Sequence, residues 1–133
     1  QKIFAALSDL EKKDEIKAGQ IMAGKIISVA PADSVKEAIS KMRKSQISQL
    51  PVVDSHKLVG LVSESNILDA MLNSKGNKVS DIMQESPPIV SKTTSIQVVS
   101  NLLRHFPMVV VSEEGNLVGL ITKSDLLGKM YKQ

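Results

Sequence analysis

Gly60-Leu61-Val62-Ser63-Glu64-Ser65-Asn66 reads as the end of an apolar strand running directly into a helix, and the chain contains it twice: Gly119-Leu120-Ile121-Thr122-Lys123-Ser124-Asp125 stands 59 residues on (60 to 119). The residues ahead of each copy correspond as well. Ile21-Met22 recurs as Ile82-Met83, 61 residues on (21 to 82), and at that offset Val29 matches Val90, Val35 matches Ile96 and Ala38 matches Val99. The tightening offset implies that the second copy loses about three residues before its central strands and regains one in the hairpin turn. A duplicated unit is the organising fact, because repetition decides architecture before any single element does.

Each copy has the same plan. A short extended stretch comes first, over residues 25–29 and 88–90. A helix follows, with Val35, Ala38, Ile39 and Met42 at the i, i+3, i+4, i+7 spacing of a half-buried face. Its counterpart is Ile96, Val99 and Leu103, with Ser100 interrupting the stripe. Asp33 and Thr94 are expected as N-caps, Thr94 with Gln97 forming a capping box. Two strands are expected over 50–53 and 58–62, joined by Asp54-Ser55-His56-Lys57, and again over 108–111 and 117–121, joined by Glu113-Glu114-Gly115-Asn116. Gly115 supplies the positive φ that a tight hairpin turn needs. A closing helix is expected over 65–72 and 124–130.

The strand runs are almost wholly apolar, which predicts that both faces are covered. A β-α-β-β-α unit of about 55 residues buries little surface by itself. The expected fold is therefore α/β (α+β): two repeats packed sheet to sheet with pseudo-two-fold symmetry, helices outside, and two equivalent clefts between the copies. The domains read as 1–17, an N-terminal leader helix and linker; 18–73, the first repeat; and 78–131, the second. Asn73-Ser74-Lys75-Gly76-Asn77 is the polar break between them.

With Leu50-Pro51-Val52-Val53-Asp54 added, these motifs resemble the CBS-domain family, paired as in a Bateman module. The resemblance runs from about residue 18 to residue 130, and the order and duplication of the motifs carry it. A narrower resemblance is to archaeal regulators in which a helix-turn-helix domain precedes a CBS pair. Residues 2–13, KIFAALSDLEKK, are similar to the last helix of such a DNA-binding domain; they also read as a plain amphipathic leader. The chain opens at Gln1, which is expected of a piece of something longer.

The resemblance implies site residues. In the family the Ser or Thr ending the last strand contacts ligand phosphate, and the Asp three residues later holds the ribose hydroxyls. Carried over, Thr122 and Asp125 form the better site, with Lys123 as a phosphate partner. Ser63 and Asn66 form a weaker one, since an amide bonds a hydroxyl without charge. An adenine slot is expected along Ile27, Val29 and Pro51 in one copy and along Ile89, Val90 and Met108 in the other. Elementary physics agrees with the phosphate part, because the first N–H groups of a helix are unpaired and attract anions. Thr122 with Asp125 reads equally as a helix capping box.

Composition excludes several alternatives. There is no cysteine, so neither disulfides nor thiolate metal sites can form. The two histidines are far apart, with His56 in a solvated turn and His105 beside Arg104 on the surface. No metal site or catalytic constellation is expected, and no glycine-rich phosphate loop is present. A net charge of +3 from 17 basic and 14 acidic residues, interspersed, does not point to nucleic acid binding by this segment. No apolar run approaches the ~20 residues that span a bilayer, and a cytoplasmic setting is expected.

The function these readings imply is non-catalytic regulation. An adenine nucleotide (AMP, ADP or ATP) or S-adenosylmethionine would bias the arrangement of the copies, as a homodimer, and so control an attached effector. DNA would be reached only through an upstream domain. The alternatives are a ligand-free dimerisation module and the regulatory CBS pair of an enzyme such as a nucleotide-synthesis dehydrogenase.

Overall fold

Pro51 and Val110 occupy equivalent places in the two repeats, and the difference between them shapes the sheets. In the computed structural model, which describes residues 16–74 and 76–130, the elements in chain order are α1 (Ala18–Ile21), α2 (Val35–Ser45), β1 (Gln49–Asp54), β2 (Lys57–Ser63), α3 (Glu64–Leu72), α4 (Val79–Ile82), β3 (Ile89–Ser91), α5 (Ile96–Leu103), β4 (Val109–Glu113), β5 (Asn116–Ile121) and α6 (Lys123–Met130). The fold is α+β with two sheets, as expected. The leader helix expected over residues 1–17 lies outside the described residues except for Ile16 and Lys17, and Lys75 of the linker lies outside them too.

The compact units cut across the repeats. One runs Ile27–Pro87, and the other joins the residues up to Ile26 to those from Pro88 onward. In the first unit β1 and β2 pair antiparallel, Val52 opposite Gly60. Gln84, just after α4, closes the outer edge of β2 through reciprocal bonds with Leu61 of 2.8 and 3.0 Å. In the other unit β3 lies parallel to β4, and β4 antiparallel to β5 with Val111 opposite Gly119. Ala23, just after α1, closes β5 in the same way through Leu120, at 2.8 and 3.0 Å. Each repeat's opening Ile-Met segment thus completes the sheet that contains the other repeat's strands.

The extended stretch expected over 25–29 narrows to a single bridge, Val29 with Val52. Val29 donates to the Pro51 carbonyl at 3.1 Å and accepts from Val53 at 2.8 Å. A longer parallel ladder would need an N–H from residue 51, and proline has none. In the second repeat Val110 supplies that donor, bonding the Pro88 carbonyl at 2.9 Å, and β3 forms.

Helix boundaries also depart from expectation for identifiable reasons. The caps are Ser34 and Ser95, each one residue beyond the expected position. Asp33 and Thr94 instead fasten the preceding turns, accepting from the N–H groups of Ala30 at 2.8 Å and Ser91 at 3.1 Å. Ser34 accepts from Glu37 N–H at 3.1 Å, and Glu37 reaches back to Ser34. Gln46 ends α2 in the left-handed region at φ 56°. Helix α5 stops three residues earlier in the repeat, because Pro107 disfavours helical geometry at Phe106. That shortening, less one residue of connecting loop, accounts for the two-residue change of offset. The hairpins are of equal length, so no residue is regained there.

Each unit has its own core. Val29, Ala38, Met42, Leu50, Val52, Val62 and Ile67 cluster with Val79 and Ile82 of α4. Ala18 and Ile21 of α1 cluster with Ile96, Val99, Leu103, Val109, Val111 and Ile121. The expected helix stripes supply both cores. Consecutive residues Val109, Val110 and Val111 are all fully buried, so both faces of β4 are covered, as its unbroken apolar run predicts.

Candidate ligand site at the strand–helix junction

At the end of β5 the chain passes through Thr122 into α6, and two side chains lock the junction. Asp125 Oδ2 accepts from the Thr122 N–H at 2.9 Å and from its hydroxyl at 3.1 Å. The Asp125 N–H donates in return to Thr122 Oγ1 at 3.3 Å. This is the capping box anticipated from the sequence. It leaves the N–H groups of Lys123 and Ser124 in the first turn, where no intrahelical acceptor exists. Lys123 is exposed, while Thr122 and Asp125 are half-buried. Among the described residues these N–H donors meet no acceptor, and the same turn carries a cation and a carboxylate, a combination suited to a ligand with both phosphate and hydroxyl groups.

The equivalent junction ends β2 at Ser63. Its hydroxyl accepts from Asn66 N–H at 3.1 Å. Asn66 makes no reciprocal bond to Ser63; its Nδ2 donates to the Ile82 carbonyl on α4 at 2.7 Å.

The residues expected to line an adenine slot fall into two groups. Val29 and Pro51 are adjacent but buried, Val29 within the core, so they can offer a ligand backbone groups rather than side chains. Ile27 and Val90 are partly buried against their respective cores. Ile89 is 53% exposed and faces away from the core, as strand alternation dictates. Met108 is buried, and the strand register equates Val110, not Met108, with Pro51. The irregularity at Pro107 displaces the sequence alignment by two residues. Sequence reasoning also missed Gln49, opposite Ser63, whose Oε1 is buried without a donor; no sequence pattern marks such an atom.

His56, Arg104 and His105 are exposed. Among the described residues no cluster of potential metal ligands occurs, and no helix is long and apolar enough to cross a membrane. One further surface feature stands in the Ile27–Pro87 unit. A groove of about 450 Å³ runs between α2 and α3, lined by Ile39, Met42, Ile67, Leu68 and Met71 with Arg43 and Glu64 at its rim.

A family model described as CBS domain matches residues 18–73 and 79–132. The chain is 38% identical over 104 residues to an inosine-5'-monophosphate dehydrogenase of Korarchaeum cryptofilum, covering 76% of this chain and 21% of that protein. It is 36% identical over 115 residues to a zinc metalloprotease of Methanocaldococcus jannaschii, covering 86% and 32%. It thus spans about a fifth to a third of these relatives. Among solved structures, CBSX2 in complex with AMP superposes with a TM-score of 0.78 at 26% identity, covering 87% of this chain and 96% of that one.

Proposed function

The chain belongs to the CBS-domain family, and from that premise we propose that it is a non-catalytic regulatory module that binds an adenine nucleotide at the Thr122–Asp125 junction and passes the occupancy to an attached effector. The observation that carries this reading is the junction itself: first-turn N–H groups with no intrahelical acceptor, Lys123 and the Asp125 carboxylate within one turn of α6. Phosphate suits the helix terminus, and the carboxylate suits the ribose hydroxyls. That relatives with unrelated activities, a dehydrogenase and a metalloprotease, share this stretch supports a regulatory rather than a catalytic role. The AMP held by CBSX2 supports the ligand class.

The ligand is AMP, ADP, ATP or S-adenosylmethionine, and the setting is the cytoplasm. It acts by preferring one arrangement of the module, because equal affinity for two arrangements shifts neither. The effector is either a helix-turn-helix DNA-binding domain, suggested by the resemblance of residues 2–13, or a metabolic enzyme, which the identity to the archaeal dehydrogenase favours. Thermal melting with each nucleotide tests the reading. A ligand at ~100 times its Kd stabilises by ~2.7 kcal/mol, and no shift with any of the four defeats it.

A second reading has its own support. The α2–α3 groove and the exposed Leu68, Met71 and Leu72 give the chain an apolar face suited to a homodimer. Dimerisation and nucleotide binding are compatible; dimerisation without any ligand is the competing function.

A further inference from the structure

The two strand–helix junctions are copies of one motif and share the strand-ending hydroxyl, yet they differ in chemistry at the first and third helical positions. The first residue of α6 is Lys123, so that helix opens with a cation in its first turn. The first residue of α3 is Glu64, so that helix opens with an anion in its first turn. Its backbone N–H is also engaged, donating to the Ser48 carbonyl at 3.0 Å. A helix terminus attracts phosphate through free donors and net positive charge, and this one has lost the first donor and gained a negative charge.

The third position differs as well. Asp125 turns toward Thr122 with one oxygen, Oδ2; among the described residues no bond reaches the other, Oδ1. Asn66 is tied in the opposite sense, with Nδ2 on the Ile82 carbonyl at 2.7 Å and Oδ1 buried without a donor. Gln49, paired across the strands with Ser63, ends in a second buried oxygen that meets no donor. Each atom exposes less than 1 Å², so a hydroxyl can reach them only if the junction opens. Turning Asn66 outward would leave the Ile82 carbonyl unpaired, and an unpaired buried group is costly.

We infer that the chain binds one nucleotide, not two, with the Thr122–Asp125 junction as the binding copy and the Ser63–Asn66 junction as a closed structural counterpart held by the Asn66–Ile82 bond. This rests on the nucleotide-sensing reading above. Glu64 and Asn66 act together: one repels the phosphate, and the other withholds the ribose acceptor.

Isothermal titration of the whole chain with AMP, and separately with ATP, reads the stoichiometry directly. One nucleotide per chain is expected, with no second phase up to about 1 mM. Asn66→Ala lowers Tm and leaves the stoichiometry and Kd unchanged. Glu64→Gln, at an exposed position, also leaves them unchanged, which keeps the test decisive if the Asn66 variant fails to fold. Asp125→Asn abolishes the single phase, and Lys123→Glu raises Kd several-fold. Two nucleotides per wild-type chain overturn the inference while leaving the sensing reading intact; loss of binding in Glu64→Gln overturns the inference by moving the nucleotide to the Ser63–Asn66 junction. Wild-type protein that takes up neither nucleotide brings down both.

Discussion

The thioether of Met22 fills the space over Gly119 where a Cβ would stand, with Met22 Cγ 2.8 Å from that position. Met83 does the same over Gly60, its Sδ 2.8 Å away. In each unit a bare stretch of strand lets a chain-distant methionine lie flat on the sheet. Gly119→Ala and Gly60→Ala are therefore expected to destabilise by about 1–3 kcal/mol, the usual cost of overpacking. Urea unfolding measures it. Because Met22 is flexible and only partly buried, Met22→Ala combined with Gly119→Ala should cost less than the two changes added.

The hairpin turns make the opposite use of backbone freedom. Both place two residues at positive φ: Ser55 and His56 at 50° and 72°, and Glu114 and Gly115 at 50° and 82°. Only the second turn has a glycine where the angle favours one. His56→Gly removes left-handed strain and should stabilise by about 1 kcal/mol. Gly115→Ala, with open space around the new methyl group, should destabilise by about the same amount through φ alone. Differential scanning calorimetry on both variants reads the opposite signs; equal signs would show that the turn angles do not govern stability.

A third expectation concerns where the chain can be cut. Residues 18–73 make one sequence repeat but lack Val79, Ile82 and Met83, which pack on the core of the Ile27–Pro87 unit. A fragment of residues 27–87 retains them and keeps the Gln84–Leu61 edge pairing. Circular dichroism should find the 27–87 fragment more ordered than the 18–73 fragment. Both are near the size at which a domain is marginal, so low temperature is the informative condition. Equal order in the two would mean that α4 adds little.

These contrasts show which features could be read from the sequence. The four longer helices and the strand runs follow local pattern, and the Thr122–Asp125 box follows a three-residue spacing, so each is legible in the chain. The four-residue helices α1 and α4 are too short to show a periodicity, and the expected plan omits them. The caps slipped by one because Asp33 and Thr94 serve the preceding turn as readily as a helix, and only tertiary placement chooses. The effect of Pro51 on the ladder depends on which strand lies alongside it. Repetition likewise cannot say which copy's Ile-Met segment closes which sheet. The Asn66–Ile82 bond and the enclosed oxygen of Gln49 are the least legible of all, since both arise from residues far apart in the chain.

The last expectation follows from the helix pair of the Ile27–Pro87 unit. Leu68, Met71 and Leu72 on α3 are 58, 62 and 77% exposed, and the first two line the α2–α3 groove beside Ile39 and Met42. Three large apolar side chains on one short helix leave a contiguous face that water solvates poorly, and such faces mark interaction surfaces more often than isolated exposed residues do. Pairing of two chains through this face would cover it. Charging its centre with Leu68→Glu and Met71→Glu should then shift sedimentation velocity profiles from dimer toward monomer at equal concentration. The folded chain itself should change by no more than about 0.5 kcal/mol, the usual range for exposed sites. A wild-type chain that sediments as a monomer at all accessible concentrations, or a charged variant that remains dimeric, would remove this face from the assembly.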